Sequence, residues 1–467
     1  MNNRILFAAG AVLAFGAATF AQTSFDAAVV SSQELNGTSR YVAMGGAMGA
    51  LGSDISVINQ NPAGIGTFRQ SDFNATMSIM GAQSRTNPLF DQANPGIFGN
   101  YSLYSHNSKS DLVGSFDNVS IVLSGFEGDG CYANFGFSYH KVNNSDCDMD
   151  YIDSFSDDDG YMVYREYRDH RRIMNNSFDF NLSFNVNDKM YFGVTMGILQ
   201  TDTWTDGYYY DYYPTGSHPD FPEGLDYTCG DWQTNAAGAG VNMAFGMIVR
   251  PVPTLRLGAA FKSPTWMHQS LDYFDCLYAL RGEQKDGKDF STGTDYRFTS
   301  PWSLDLSAGY TIGSTAFGLE YERHFTGRSF LSVGGTRMDA QGAPQYRNYS
   351  TVRFGFEHNI GKLALRAGYC GTGSMLRNDA YPVMIDSDFN DNRLEFQLHR
   401  PENTNNLTFG LGYCSEPDEF GSQFYADMAY VHGVQNSKVC ANEYLEDPVV
   451  KYQYVTDKIQ LTLGINF

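Results

Sequence analysis

The sequence predicts an all-β membrane protein: a 14-stranded antiparallel transmembrane β-barrel whose N-terminal segment folds into the lumen as a plug, or hatch. Three observations carry this prediction. Apolar and polar residues alternate at period two in run after run along the 467-residue chain. The connections between these runs are long and short in turn. The composition is rich in aromatics (15%) and poor in charge (18%), with 48 Gly, a balance unlike that of a disordered chain or an ordinary soluble enzyme. Acidic side chains outnumber basic ones 52 to 31, a formal charge of −21. That excess argues against nucleic acid as a partner, because phosphate backbones are held by clustered Lys and Arg. Beyond the N-terminus no apolar run reaches the ~20 residues that cross a bilayer as a helix.

The first element is a targeting segment. Arg4 is followed by an apolar stretch from Ile5 to Phe20 that ends Ala18-Thr19-Phe20-Ala21, the charge, core and small-residue order of a secretory signal peptide. Cleavage is expected after Ala21, giving residues 1–21 as signal peptide and a mature chain beginning at Gln22. No Cys follows the cut, so a lipid-anchored start is not expected. The seven Cys form no CxxC pair and no disulfide framework.

Residues 22–71 lack sustained alternation and form the second element. They hold Met44-Gly45-Gly46-Ala47-Met48-Gly49-Ala50-Leu51-Gly52-Ser53-Asp54 and then Asn61-Pro62-Ala63-Gly64. No GK[ST] follows the glycines and no strand precedes them, so a phosphate-binding loop is not supported. Small residues at this spacing suit tight helical turns or backbone pressed against a wall. Asn61-Pro62 favours a turn. A compact plug is the economical reading, and a flexible periplasmic extension is the alternative.

Residues 72–467 form the barrel. Alternating runs place strands near 72–83, 117–125, 131–142, 173–187, 189–202, 235–249, 255–263, 296–312, 315–325, 348–359, 363–371, 404–414, 423–436 and 449–467. The last run is typical: Ile459, Leu461, Leu463, Ile465 and Phe467 alternate with Gln460, Thr462, Gly464 and Asn466, which puts every apolar side chain on one face. One soluble core is too small to absorb so many such faces. Connections after odd-numbered runs are long, among them 143–172, 203–234 and 264–295, whereas those after even-numbered runs are short, such as Asn187-Asp188 and Gly313-Ser314. Long loops at one rim and tight turns at the other are the pattern of a bacterial outer-membrane barrel, whose closure leaves no backbone edge in hydrocarbon. The expected location is therefore the outer membrane, with acidic extracellular loops, and the final strand ending in Phe467 is expected to engage the barrel-assembly machinery. One acidic stretch, from Asp146 to Asp157-Asp158-Asp159, fits no ordered calcium loop and reads as a solvated loop.

Two further groups of residues stand out. Glu320, Glu322, Arg353, Glu357 and Arg366 fall on the lumen face of neighbouring strands and are expected to pair, because isolated charges in a confined lumen are costly. Bracing of barrel and plug is favoured over binding an anionic head group. Tyr164, Arg165, Tyr167 and Arg168 in one outer loop and Tyr208, Tyr209 and Tyr210 in another are a candidate entry patch for cargo. The alternative is an interfacial girdle against outer-membrane lipid and lipopolysaccharide. No HExxH or GxSxG occurs, so no catalytic residues, metal ligands or cofactor are expected.

The run Met44–Asp54 followed by Asn61-Pro62-Ala63-Gly64 resembles the N-terminal hatch of the FadL/TodX family of outer-membrane transporters for hydrophobic compounds. The family's hatch motif falls on Asn61, Pro62 and Ala63. Leu257–Pro264, Leu365–Tyr369, Leu407–Tyr413 and Asp427–Tyr430 are similar to later family segments, and the resemblance runs from about residue 35 to the end. It implies a fourteen-stranded, plugged barrel that takes up long-chain fatty acids or other hydrophobic molecules such as hydrocarbons. It also implies release sideways through a kink in the third strand, here Cys131–Val142, with Gly136 as the kink-tolerant position. Cargo would be held in an apolar pocket, with the hatch moving on binding. A porin-like or adhesin barrel without transport is the alternative, and the hatch motif is what argues against it.

Overall fold

The computed structural model describes residues 31–88, 102–104, 106–109, 112–128, 130–156, 160–213, 215–216, 218–220, 225–281, 284–333, 336–337, 346–377, 400–439 and 450–467. The expected signal peptide lies outside them. Fourteen antiparallel strands close on themselves. They are β1 (Asp72–Pro88), β4 (Val113–Gly128), β5 (Cys131–Ser156), β6 (Met162–Val186), β7 (Met190–Tyr213), β8 (Leu225–Val252), β9 (Leu255–Lys262), β12 (Trp302–Ile312), β13 (Thr315–Phe325), β16 (Tyr349–Ile360), β17 (Leu363–Gly373), β18 (Arg400–Cys414), β19 (Gln423–Val439) and β20 (Val450–Asn466). The seam is an unbroken ladder of β1 with β20, from Asp72↔Asn466 to Pro88↔Val450. Among the described residues each of these fourteen strands therefore has a partner on both sides, and the cylinder is closed.

The faces follow from the alternation. In β20 the odd-numbered apolar residues point outward (Leu461 is 48% exposed) while Gln460 and Thr462 are fully buried. Phe180, Leu182 and Phe184 on β6 and Leu407, Phe409 and Leu411 on β18 are likewise exposed. An apolar band all round a closed wall, with a polar interior, is a surface made for hydrocarbon rather than for water.

Fourteen strands is the number expected, but their lengths depart from expectation on one side. The stretches 143–172, 203–234 and 264–295, expected to be loops, are largely strand. β5 pairs with β6 from Cys131↔Val186 to Ser156↔Met162, β6 with β7 as far as Tyr164↔Tyr212, and 264–295 is mostly a hairpin of β10 (Trp266–Arg281) and β11 (Gln284–Thr299). The physical reason is that a strand projecting beyond hydrocarbon has water on its outer side. Both faces are then polar, and the apolar alternation that marks a membrane strand vanishes. Four short strands, β2 (Ser102–Tyr104), β3 (His106–Lys109), β14 (Phe330–Val333) and β15 (Thr336–Arg337), add to this projecting end. The opposite end carries the short turns, Asn187 and Asp188 among them with positive φ.

Candidate functional site

Residues 32–71 precede β1 and run inside the wall. They form a short helix α1 (Ser39–Ala43) and two 3-10 turns, η1 (Ile55–Asn59) and η2 (Pro62–Thr67). Each is started by a side-chain cap. The Tyr41 N–H donates to Thr38 Oγ1 at 3.2 Å, the Ser56 N–H to Asp54 Oδ1 at 3.0 Å and the Ala63 N–H to Asn61 Oδ1 at 3.3 Å. Such caps satisfy donors that a helix start leaves unpaired. Asn61-Pro62-Ala63-Gly64 thus has a mechanical meaning. Asn61 caps η2 and donates to the Met247 carbonyl of the wall, Pro62 takes the first helical position where its missing N–H costs nothing, and a side chain at Gly64 would strike Val57.

The segment makes its own apolar core. Val42, Met44, Met48, Ile55, Val57, Ile58 and Ile65 are buried together, joined by Val122, Cys370, Ala429 and Val431 from the wall. Its backbone then lies directly on the barrel because the wall is bare at the points of contact. A Cβ at Gly368 would overlap the Gly45 nitrogen, one at Gly355 or Gly318 the carbonyl oxygens of Met44 or Ala47, and one at Gly193 the Pro62 carbonyl. These glycines sit on β17, β16, β13 and β7, so the segment winds round the inner surface and meets a gap in the side chains strand after strand.

Polar wall residues close the account of backbone groups. Thr462 Oγ1 accepts from the Ser39 N–H at 2.7 Å, Thr408 Oγ1 donates to the Ala43 carbonyl at 2.9 Å, and Asn134 Nδ2 donates to the carbonyls of Ile65 and Phe68 at 2.8 and 3.0 Å. Gly318→Val is expected to unseat this contact. Overpacking costs about 1–3 kcal/mol, which raises the population of an open segment by about fivefold to about 150-fold. Trypsin cleavage after Arg40 in the folded protein reads that population.

The five charged residues expected to pair do so, in two separate groups. Arg353 Nη1 lies 2.6 Å from Glu320 and its Nη2 2.9 Å from Glu322. Arg366 Nε lies 2.6 Å from Glu357, and its Nη1 2.5 Å from Asp427. Sequence reasoning missed the groups that complete them. Asp427, on the inner face of β19, was legible from its parity against Met428. Arg40 carried no periodic signal. Its Nε and Nη2 reach the two Glu357 oxygens at 2.9 and 3.1 Å, and its Nη1 donates to the Ser53 carbonyl. Burial works against the Arg40 charge, yet the Glu357 carboxylate outweighs it and holds the guanidinium pKa above its ordinary value. Glu320 in turn accepts from the Gly49 N–H at 3.1 Å and from Gln60. Each wall network therefore holds the N-terminal segment by one carboxylate.

Gly136 lies in β5, and both flanking ladders pass through it in register, as Val122↔Gly136 and Gly136↔Asn181. The irregularity of this strand falls instead at Lys141–Asn143, where the β6 register slips and the described pairing with β4 has ended at Asn118↔His140. Here the Glu34 N–H donates to the Val142 carbonyl at 3.0 Å and Asn143 Nδ2 to Ser32 Oγ at 2.8 Å. What Gly136 provides is room for Ile55 and Ile58, both near its missing Cβ.

The aromatic–basic residues lie on paired strands, not on two loops: Glu166↔Tyr210, Tyr167↔Tyr209 and Arg168↔Tyr208 are directly opposite. Tyr164, Arg168, Tyr208 and Tyr210 share one face of the β6–β7 ribbon by alternation, with the Tyr208 hydroxyl donating to Glu166 at 3.0 Å. The side chains of Arg165, Tyr167 and Tyr209 lie outside the described residues, as do Asp157, Asp158 and Asp159.

Two cavities flank the segment. One, of about 430 Å³, lies toward the short turns between Arg40, Asp54, Asp72 and Glu357. The other, of about 180 Å³, lies toward the projecting strands. Its lining is mixed, where an apolar pocket was expected. The apolar side chains on it are Leu35, Val142, Pro301, Cys370 and Met375, and the rest are hydroxyl, amide, aromatic-polar or charged residues and glycine. The cause is parity: inward positions of a membrane barrel are the polar ones.

No protein-family model and no curated protein sequence matches the chain. Solved structures do. A Pseudomonas aeruginosa FadL homologue aligns over 93% of this chain and 99% of its own, at 13% identity and TM-score 0.59. The toluene transporter TodX of Pseudomonas putida aligns over 93% and 99%, at 13% identity and TM-score 0.54. The toluene transporter TbuX of Ralstonia pickettii aligns over 92% and 98%, at 15% identity and TM-score 0.50. The chain shares the fold of these barrels over more than nine tenths of its length.

Proposed function

We propose that this chain belongs to the FadL/TodX family of outer-membrane transporters and carries hydrophobic or amphiphilic compounds inward, with residues 22–71 as its hatch. The observation that supports this most is the seating of residues 32–68 between the two cavities. A passive pore has no use for a folded, capped segment fitted to bare glycines in its wall. The end bearing the projecting strands would face outward and the short turns the periplasm.

Transport in this reading needs the segment to shift. Its backbone lies directly on the wall glycines and its apolar side chains pack against the wall, which holds it in one place. The Arg40–Glu357 and Gly49–Glu320 links are polar and exchangeable, so a ligand that binds only the shifted arrangement biases it by its differential affinity. The sideways exit would lie at Lys141–Asn143 of β5 rather than at Gly136. There the strand bulges, and residues 32–36 of the segment hydrogen-bond the wall at the same point. The tyrosine face of β6–β7 suits contact with the surrounding lipid and lipopolysaccharide.

Cells lacking the gene, complemented or not, are to be given labelled oleate and labelled toluene. Faster uptake of either with the protein is the expected result. Equal uptake of both with and without it would overturn the transport assignment.

A further inference from the structure

We propose that the inner wall beside the segment binds a monovalent metal cation of the sodium or potassium kind. Its ligands are Asp305, Ser307 and Glu320 of the barrel and Gln60 of the segment. The inference goes beyond the transport reading and does not depend on it, since it concerns what seats the segment and not what passes it.

Parity builds the site. Leu304 and Leu306 of β12 face outward, so Asp305 and Ser307 face the lumen, where both are buried. Register then decides what each can bond. Asp305 stands between Ala260 of β9 and Glu322 of β13, and Ser307 between Gly258 and Glu320. On one side the neighbours have no polar side chain, and on the other they are carboxylates, which accept and do not donate. An orphaned carboxylate is the result. Asp305 is 4% exposed, and neither of its oxygens has a hydrogen-bond partner. The Ser307 hydroxyl and Gln60 Oε1 are buried and orphaned in the same way.

These oxygens gather round Glu320. Asp305 comes within hydrogen-bonding distance of it. Gln60 Nε2 donates to Glu320 Oε1, which brings the orphaned Gln60 oxygen beside the same carboxylate. Glu320 Oε2 and Ser307 Oγ both lie near Gly49, 2.7 and 3.1 Å from the point where its Cβ would stand. Among the described residues Arg353 is the one cation within 4 Å of Asp305, and it is committed elsewhere. Its Nη1 lies 2.6 Å from Glu320 and its Nη2 2.9 Å from Glu322, against 3.9 Å from Nη1 to Asp305.

Charge and chemistry select the ligand. Three carboxylates face Arg353 and, acting on Glu322 from farther off, Lys262. One negative charge is left over, and a buried charge without a partner is costly. A water molecule would satisfy the oxygens and leave the charge. Carboxylate, hydroxyl and amide oxygens are the ligands that hard cations take. A divalent ion would overshoot the charge, and among the described residues no group of three or more His, Cys, Asp or Glu is arranged to hold one. Gln60 belongs to the segment and the other ligands to β12 and β13, so the ion is a fastener whose removal loosens the segment from the wall.

The test uses the full mature protein in phosphatidylcholine nanodiscs at fixed ionic strength, with choline chloride exchanged for sodium or potassium chloride. Calorimetry reads the heat of ion binding, and trypsin cleavage after Arg40 reads the loosening. With either alkali ion at about ten times its dissociation constant, cleavage is expected to slow about tenfold relative to choline. Asp305→Asn should abolish the heat and the dependence of cleavage on the ion. Ser307→Ala, which keeps every carboxylate, should weaken ion binding in a barrel that still migrates as folded on a gel. Equal cleavage in choline and alkali chloride, with no heat of binding, would overturn the proposal. Slowing by a drop in pH alone, with no response to either ion, would also overturn it, because a proton shared by Asp305 and Glu320 would then be the partner. Calcium chloride acting at far lower concentration than either alkali salt would overturn the assignment to a monovalent ion.

Discussion

Deleting residues 22–64 is expected to convert the barrel into an open, water-filled pore. Barrels of about 8 strands are filled by their own inward side chains, whereas those of 16–18 leave an aqueous channel. Fourteen strands lie between, and the wall here does not fill itself, since its inner face has glycine where β7, β13, β16 and β17 meet the segment. The apolar filling is brought by Val42, Met44, Met48, Ile55 and Ile58. Without them the lumen is lined by Asn, Ser, Thr and paired charges, which water wets readily. Single-channel recording in planar bilayers should show conductance rising by about tenfold or more toward that of a porin-sized lumen. An unchanged trace after the deletion would mean that residues 22–64 do not obstruct the barrel.

The largest loss of stability from a single substitution is expected for Arg366→Leu. Arg366 is wedged between Glu357 and Asp427, with all three side chains 6–7% exposed. Removing the cation leaves two carboxylates facing each other with only Arg40 to answer them. Breaking a buried pair in this way costs about 3–5 kcal/mol. The urea midpoint of the folded barrel, followed by its heat-modifiable gel mobility, should fall accordingly, and Arg366→Leu combined with Asp427→Leu should recover part of the loss because it removes an orphaned charge. A midpoint that stays put in the single variant would show the network to be ornamental to folding.

How much of this was legible in the sequence depends on the medium that surrounds each residue. Hydrocarbon demands apolar side chains on every second position, so the fourteen crossings announce themselves in runs such as Phe178–Val186 and Ile459–Phe467. Above the bilayer that demand lapses, and the long upper reaches of β5 to β8 went unread as strands. The lumen charges on Glu320, Glu322, Arg353, Glu357 and Arg366 were found by parity, and Asp427 obeys the same rule. Arg40 lies in a segment without period, so its place opposite Glu357 emerges only from the folded chain. Gly136 illustrates the converse error. A glycine in a strand suggests a bend, but here the missing side chain makes room for Ile55 and Ile58.

The stitching of Gly37 and Ser39 to the final strand has a bearing on biogenesis. Gln460 Nε2 donates to the Gly37 carbonyl at 2.9 Å, and Thr462 Oγ1 meets both the nitrogen and the hydroxyl of Ser39. Residues ahead of the barrel are thus fastened by a strand that is synthesised 423 positions later. A nascent polypeptide must keep Gly37 and Ser39 unattached until β20 has been made, and any chain stopped short of residue 460 lacks the clasp. Prematurely terminated molecules would carry a loose leader, an exposed handle by which periplasmic proteases can sort incomplete products from finished ones.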